Sequence, residues 1–170
     1  DTWADPAKQQ IPAAWLDNID NTEALGSLLY NYTYETLNNL AASNLLPDMV
    51  QVGNEINPMI LQDGELKWPI DWTRNSYLIN KGIKAVRDIS ASKNKSVEVM
   101  LHIAQPENGL WWFEQATTNG VTDFDWIGLS YYPLWCHVCV LSSTFCRRRI
   151  ISPSAFSSAA NASSLFSKYV

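Results

Sequence analysis

Apolar side chains recur at steps of three and four along two long stretches of the chain. The first stretch runs from Leu25 to Ala41 and ends near Asn44. Asp20, followed three residues later by Glu23, predicts a capping box at its start. The second stretch runs from Asn75 to Ser90. Steps of three and four place the apolar positions on one helical face, so both stretches are predicted to be amphipathic helices.

Three shorter segments have the apolar, β-branched or alternating pattern of strands. They are Met49–Val52, Val97–Ile103 and Trp126–Ser130, and they begin about 30 to 50 residues apart. A short helix over Leu110–Thr118 is predicted between the last two, with Gly120 at its C-terminal cap. Because strands alternate with helices, the order predicts right-handed βαβ units and a parallel sheet, which is an α/β fold.

Polar and aromatic residues follow the predicted strands, whereas no glycine-rich phosphate-binding loop does. An open doubly wound sheet and a (β/α)8 barrel both fit the alternation, and this pattern favours the barrel. Ligands bind at the carboxyl ends of parallel strands. Taken alone, however, an Asn-Glu pair is more often a solvated loop acid with a capping amide. The strand-end residues are Asn54 and Glu55, then His102, then Tyr131 and Tyr132.

Charge and cysteine are distributed unevenly along the chain. A formal net charge of −5 argues against nucleic-acid binding, and the absence of a long apolar run predicts no membrane span. All 17 acidic residues precede residue 126, while the segment after Trp135 has three cysteines and no acid. This change predicts a folded domain over residues 1–135 and a separate tail over residues 136–170, disordered or mistranslated.

The tail contains four residues that could bind zinc, Cys136, His137, Cys139 and Cys146. A structural zinc site needs spaced ligand pairs on ordered turns, and the flanking sequence has no such turn residues. We therefore expect unpaired cysteines and no metal site.

Four motifs occur in collinear order along the chain: Asp1–Pro6, Val50–Ile56, Leu101–Ile103 and Asp125–Pro133. Together they resemble the motifs of family 53 of the glycoside hydrolases, the arabinogalactan endo-β-1,4-galactanases. The resemblance covers residues 1–135 and implies an incomplete (β/α)8 barrel that contains strands four to six with their helices. It also implies hydrolysis of internal β-1,4-galactosidic bonds, outside the cell and without a cofactor.

The resemblance also implies roles for individual residues. Retaining hydrolysis uses two carboxyl groups about 5–5.5 Å apart. Glu55 is the implied general acid/base, and Asn54 would bind the 2-hydroxyl of the sugar at the cleavage point. The family's second carboxylate, the nucleophile, lies at the end of strand seven, and no acidic residue follows Asp125 here. The other implied substrate-binding residues are Asp1, Trp3, His102, Tyr131 and Trp135.

We therefore expect this chain alone to be inactive. Three interpretations stay open: part of an active galactanase, a truncated galactan-binding remnant, or an unrelated α/β interaction domain. The expected partner is a polysaccharide, with no nucleic acid and no membrane, and full-length family members are expected to be monomeric. Because the chain begins with Asp1 rather than methionine, we expect a processed product or a fragment, with the signal peptide outside it.

Overall fold

A three-stranded parallel sheet organises residues 9–64 and 66–130, the part of the chain that the computed structural model describes. Its strands are β1 (Met49–Val52), β2 (Glu98–Ala104) and β3 (Trp126–Ser130), with β2 in the centre. The register pairs Val52 with Leu101, and Leu101 in turn with Ile127. The predicted α/β chain with a parallel sheet is confirmed.

Three helices connect or precede these strands: α1 (Thr22–Ala42), α2 (Trp72–Lys93) and α3 (Gly109–Thr118). Short 3-10 helices, which the sequence pattern did not predict, cover Ala13–Asn18 and Pro106–Asn108. No helix in the described ranges is both long and apolar enough to span a bilayer.

The caps of α1 and α3 show how local chemistry sets the helix ends. The predicted cap at Asp20 is wrong by one residue, because Asn21 is the extended residue and its side chain accepts the N–H of Ala24 at 3.0 Å. At the end of α3, Gly120 has a φ of +88°, as the glycine predicted. There the N–H of Val121 reaches back to the carbonyl of Ala116 at 2.9 Å, which is the Schellman pattern.

Helix α2 is longer than its predicted range at both ends. Asp71 accepts the backbone N–H of Arg74 at 3.1 Å and so starts the helix three residues before Asn75. At the other end, Asn94 has a left-handed φ of 49° and closes the helix. The apolar repeat marks only the buried face, so it misses a first and last turn that are held by capping.

Successive side chains of β2 point alternately into the hydrophobic core and toward the candidate site. Val99, Leu101 and Ile103 are fully buried in the cluster that α2 and α3 also form, whereas His102 is half-buried on the opposite face. Burial of each such aliphatic side chain is worth about 1.5–3 kcal/mol. Trp112 is fully buried in the same cluster.

Candidate active site at the carboxyl ends of the strands

The backbone turns sharply where β1 ends, and this turn places Glu55. Gly53 has a φ of +80°, and a Cβ added there would lie 2.4 Å from a methyl carbon of Ile56. Glu55 itself has a φ of +48°. Left-handed backbone is uncommon for a residue other than glycine, so surrounding contacts must maintain it. The Glu55 residue is 1% exposed.

His102 of β2 provides two of those contacts. The backbone N–H of Glu55 donates to its ring Nδ1 at 3.1 Å. The backbone N–H of Ile56 donates to the His102 carbonyl at 2.9 Å. Two successive amides of the turn are therefore fixed to one residue of the central strand.

Gln9, far away in sequence, fixes the same turn from the other side. Its Nε2 donates to the carbonyl of Asn54 at 3.0 Å and to that of Glu55 at 3.3 Å. The peptide groups on both sides of the Glu55 Cα are thus hydrogen-bonded, and this explains how the left-handed conformation is maintained.

These contacts define the tautomer of His102. A neutral imidazole has one N–H donor and one acceptor nitrogen. Because Nδ1 accepts from Glu55, the ring proton lies on Nε2, which is 2.9 Å from the Oγ of Ser130. Ser130 is the last residue of β3. One imidazole therefore links the ends of all three strands.

The side chain of Asn54 is oriented by Gln51, a residue of β1 that lies three positions earlier in the chain. Gln51 Nε2 donates to Asn54 Oδ1 at 3.0 Å and to the carbonyl of Gly53 at 2.8 Å. The oxygen end of the Asn54 amide consequently faces Gln51, and the nitrogen end is directed away from it. An amide held in this way can donate from a fixed position to a ligand hydroxyl.

The long loop after the turn is tied to neighbouring elements. The side chain of Asn57 makes two hydrogen bonds of 2.7 Å with the backbone of Ala104. The backbone carbonyl of Asn57 accepts the indole N–H of Trp112 at 3.1 Å. Arg74 donates to the carbonyls of Ile60 at 2.8 Å and Leu61 at 2.5 Å. Burial lowers the pKa of Arg74, against the opposing effect of nearby carboxylates.

The structure brings together three of the residues singled out from the sequence, Asn54, Glu55 and His102. The remaining substrate-binding candidates and the possible zinc ligands lie outside the described residues, so their predictions stay predictions. Across residues 9–64 and 66–130, no cluster of three or more His, Cys, Asp or Glu side chains suits a metal ion. The candidates outside are Asp1, Trp3, Tyr131, Trp135, Cys136, His137, Cys139 and Cys146.

Sequence reasoning missed four residues that hold the site: Gln9, Gln51, Asn57 and Ser130. Only Gln51 carried a detectable signal, since it is a polar residue between Val50 and Val52 on the strand that leads into the turn. The contacts of the others depend on which segments pair across the sheet.

The fold and site define an α/β protein with an oriented Asn-Glu pair at the carboxyl end of a parallel strand. The sequence model of glycosyl hydrolase family 53 matches residues 1–146. The chain therefore belongs to glycosyl hydrolase family 53.

Individual relatives agree with this assignment. Over 137 residues the chain is 55% identical to an arabinogalactan endo-β-1,4-galactanase of Cellvibrio japonicus, an alignment of 79% of this chain and 36% of that protein. It is 34% identical to the arabinogalactan endo-β-1,4-galactanase of Humicola insolens, covering 84% of this chain and 43% of the relative. The chain thus spans less than half the length of these relatives.

Solved structures show the same relationship. The GH53 catalytic domain of Ignisphaera aggregans superposes with a TM-score of 0.66 at 35% identity, covering 79% of this chain and 35% of that one. A structure of fungal β-1,4-galactanases gives a TM-score of 0.67 at 33% identity, covering 79% and 40%. The matched part is an α/β fragment of a TIM-barrel family.

Proposed function

We propose that this chain is part of an endo-β-1,4-galactanase that cleaves galactan with Glu55 as the general acid/base. The observation that supports this most is the buried Glu55, set on a left-handed backbone next to an oriented Asn54 at the end of a parallel strand. The relatives from Cellvibrio japonicus and Humicola insolens are arabinogalactan endo-β-1,4-galactanases, and their activity supplies the substrate class.

The mechanism follows from this placement. A general acid must hold its proton within hydrogen-bond reach of the leaving oxygen, and the contacts of Gln9 and His102 with the backbone fix the Cα of Glu55. Asn54 would donate to the 2-hydroxyl of the sugar. A retaining reaction would then proceed through a covalent intermediate on a second carboxylate, after which Glu55 acts as the base that activates water.

The second carboxylate is proposed to come from a barrel strand outside these 170 residues, because no acid follows Asp125. In this proposal β1, β2 and β3 are strands four, five and six of the barrel. The catalytic domain covers residues 1–135, and the chain is inactive alone. Asp1, Trp3, Tyr131 and Trp135 are proposed to contact the galactan, and the complete enzyme to be an extracellular monomer.

A chimera tests the role of Glu55 with a complete barrel. Residues 1–135 replace the matching segment of the Cellvibrio japonicus galactanase, and reducing-sugar release from β-1,4-galactan is measured. We expect the chimera to be active, Glu55→Gln to lower kcat by about 10²–10⁴-fold, and the exposed Glu35→Gln of α1 to have no effect. An aryl galactoside with a good leaving group should restore the bond-breaking step in Glu55→Gln, because that leaving group needs no proton.

Two results would contradict the proposal. Equal rates for the chimera and its Glu55→Gln variant would show that Glu55 is not the general acid/base. Galactan hydrolysis by the 170-residue chain alone, abolished by Glu55→Gln, would show that the chain has its own nucleophile. If the chain alone binds galactan without cleaving it, the truncated binding remnant is favoured.

A further inference from the structure

Gly128 lies buried in the middle of β3, where a glycine normally weakens a strand. Its φ is not positive, so the backbone conformation does not require glycine there. Almost any side chain with a preference for strands would stabilise β3 better at this position. The absence of a side chain at Gly128 therefore needs another explanation.

The space beside Gly128 is filled by two side chains of the central strand. The register places Gly128 directly opposite His102. A Cβ added at Gly128 would lie 3.0 Å from Cδ2 of the His102 ring, 3.4 Å from the His102 Cβ and 2.9 Å from Sδ of Met100. Carbon atoms pack best at about 3.5–4.0 Å. A methyl group at this position would consequently displace the imidazole, the methionine side chain or both.

The imidazole lies against Gly128 while its two nitrogens contact groups beyond it. Nε2 is 2.9 Å from Oγ of Ser130, which is two residues further along β3 and on the same face. Nδ1 accepts the backbone N–H of Glu55 at 3.1 Å, in the turn after β1. A methyl group that displaces the ring would lengthen these hydrogen bonds, and the bond to Glu55 is one of those that fix the turn.

We propose that Gly128 is a positioning residue for catalysis, because its missing side chain leaves the space from which the His102 imidazole holds the backbone of Glu55. The inference rests on the proposed function of Glu55. Gly128 acts through His102, and His102 acts through the amide of Glu55. Alanine has the smallest side chain and already comes too close to the ring, so only glycine provides this space.

Amide hydrogen exchange in the 170-residue chain, followed by NMR, tests the proposal without catalysis. We expect Gly128→Ala to speed exchange of the Glu55 amide about fivefold or more, because its acceptor is the displaced ring. The Ile56 amide donates to the backbone carbonyl of His102 and should change less than about twofold. No change at Glu55, or an equal change at both amides, would overturn the proposal.

The matched control is Gly26→Ala. A Cβ at Gly26 would lie 2.5 Å from Cε1 of Tyr77, in the contact between α1 and α2, so this variant also disturbs close packing. It does not touch the His102 ring, and exchange of the Glu55 amide should stay as in the wild type. Faster exchange at Glu55 in this control would show that any loss of packing loosens the turn, which would overturn the proposal.

Kinetics on β-1,4-galactan measure the same effect in the chimera. Gly128→Ala should lower kcat about tenfold or more and change KM less than about twofold, because a displaced acid/base still binds substrate. Gly26→Ala should lower the free energy of unfolding in urea and leave kcat unchanged. A raised KM with an unchanged kcat in Gly128→Ala would overturn the positioning role.

A double-mutant cycle identifies which side chain needs the space. Asparagine has no atom in the place of the imidazole Cδ2, so Gly128→Ala should change kcat less than about twofold in a His102→Asn background. In a Met100→Ala background it should keep nearly its full effect. The opposite pattern would show that the glycine makes room for Met100, and would overturn the proposal.

The His102→Asn background also covers the case in which Gly128→Ala alone does not fold. The conflict with the ring is absent there, and the double variant should fold. Failure of the double variant to fold would show that β3 itself requires glycine, which would overturn the proposal.

The outcomes separate this proposal from the catalytic one. If exchange at Glu55 changes as expected and the chimera shows no hydrolysis that depends on Glu55, Gly128 does position the turn and the acid/base role falls. If Glu55→Gln lowers the rate as expected and Gly128→Ala keeps the full kcat, the proposed function stands and the role of Gly128 falls.

Discussion

The two ends of the sheet use different chemistry. At the amino ends of the strands, charged groups pair with one another. Asp125 accepts the backbone N–H of Val99 at 2.7 Å and binds Arg87 at 2.9 Å, and Lys95 pairs with Asp48 at 3.0 Å. At the carboxyl ends, neutral groups of Gln9, Gln51 and His102 make hydrogen bonds to the turn around Glu55.

The two ends of the sheet also differ in which residues have a positive φ. At the amino ends, the residues with positive φ are Asn44, Asn94 and Gly120, which are types that tolerate that region. At the carboxyl ends they include Glu55 and Gln105, which have no intrinsic preference for it. Unfavourable backbone is therefore concentrated where the site lies. One end of the sheet is therefore arranged for stability, and the other for the placement of functional groups.

The largest expected effect comes from His102. In the chimera, His102→Ala should lower kcat on galactan about 100-fold, because the Glu55 amide loses its acceptor and the carboxylate moves. His102→Asn should retain most of the rate, since the Asn side-chain oxygen can replace Nδ1 as an acceptor. Kinetics of both variants on galactan measure the difference, and equal losses would contradict the positioning role.

The ring of His102 can also be observed directly by nitrogen-15 NMR. The chain has two histidines, so a His137→Gln background isolates its signals. We expect the neutral form with the proton on Nε2, because Nδ1 accepts from Glu55. A spectrum with the proton on Nδ1 would refute the hydrogen bonding that links the three strands.

The amino end should respond in stability and not in catalysis. Asp125→Ala should lower the free energy of unfolding by about 2 kcal/mol, because the Val99 amide and Arg87 each lose a charged acceptor. Burial lowers the pKa of Arg87, but hydrogen bonds to Asp125 and Asp123 outweigh it, and the net pKa is raised. Urea unfolding measures the loss, and kcat of the chimera should not change.

Asp123→Ala is the matched control for that measurement. The side chain of Asp123 is 65% exposed, compared with 37% for Asp125. An exposed ion pair contributes about 0–1 kcal/mol. A loss as large as that of Asp125→Ala would show that burial does not decide the strength of these pairs.

A smaller effect tests the contrast in backbone conformation. Gln105 has a φ of 61°, and Gln105→Gly should raise the free energy of unfolding by up to about 1 kcal/mol, because glycine has no Cβ to conflict there. Asn94→Gly should change it little, since asparagine already accepts its φ of 49°. Urea unfolding of both variants measures the difference. Equal changes in the free energy of unfolding would show that the backbone at Gln105 is no less favourable than that at Asn94.

The smallest expected effect is a pH dependence between α1 and α2. The hydroxyl of Tyr30 donates to Asp88 at 2.6 Å, and this bond, with burial and charge, raises the pKa of Tyr30 from 10.0 to about 12. The stabilisation is therefore fully present below pH 10 and lost as pH rises through 12. Unfolding measured across that range should be less pH-dependent in Tyr30→Phe than in wild type.

Asp88, the partner of Tyr30, makes the stability of the protein depend on pH in the acid range. Hydrogen bonds from Lys84 and then Tyr30 lower its pKa. Its contribution is consequently present above the ordinary pKa of an aspartate and is lost as pH falls through the lowered value. Asp88→Asn should flatten both the acid and the alkaline parts of the profile, and an unchanged profile would show that this pair does not control stability.

Local sequence signals were enough to predict the order of the elements, the Met49–Val52 and Trp126–Ser130 strands, the glycine that closes α3, and the position of Asn54 and Glu55 after a strand. These features depend on local periodicity and on the conformational limits of single residues. The cap of α1 was misplaced by one residue because Asp20 and Asn21 are both good caps, and only the backbone conformation distinguishes them.

The contacts that hold the site, in contrast, depend on how distant segments pack together. Gln9 reaches Glu55 across 46 positions, and His102 reaches it across 47. Periodicity tells which face of an element is buried, whereas the partner on that face follows from strand register and side-chain direction. For that reason the sequence located the carboxylate, and the fold determined its surroundings.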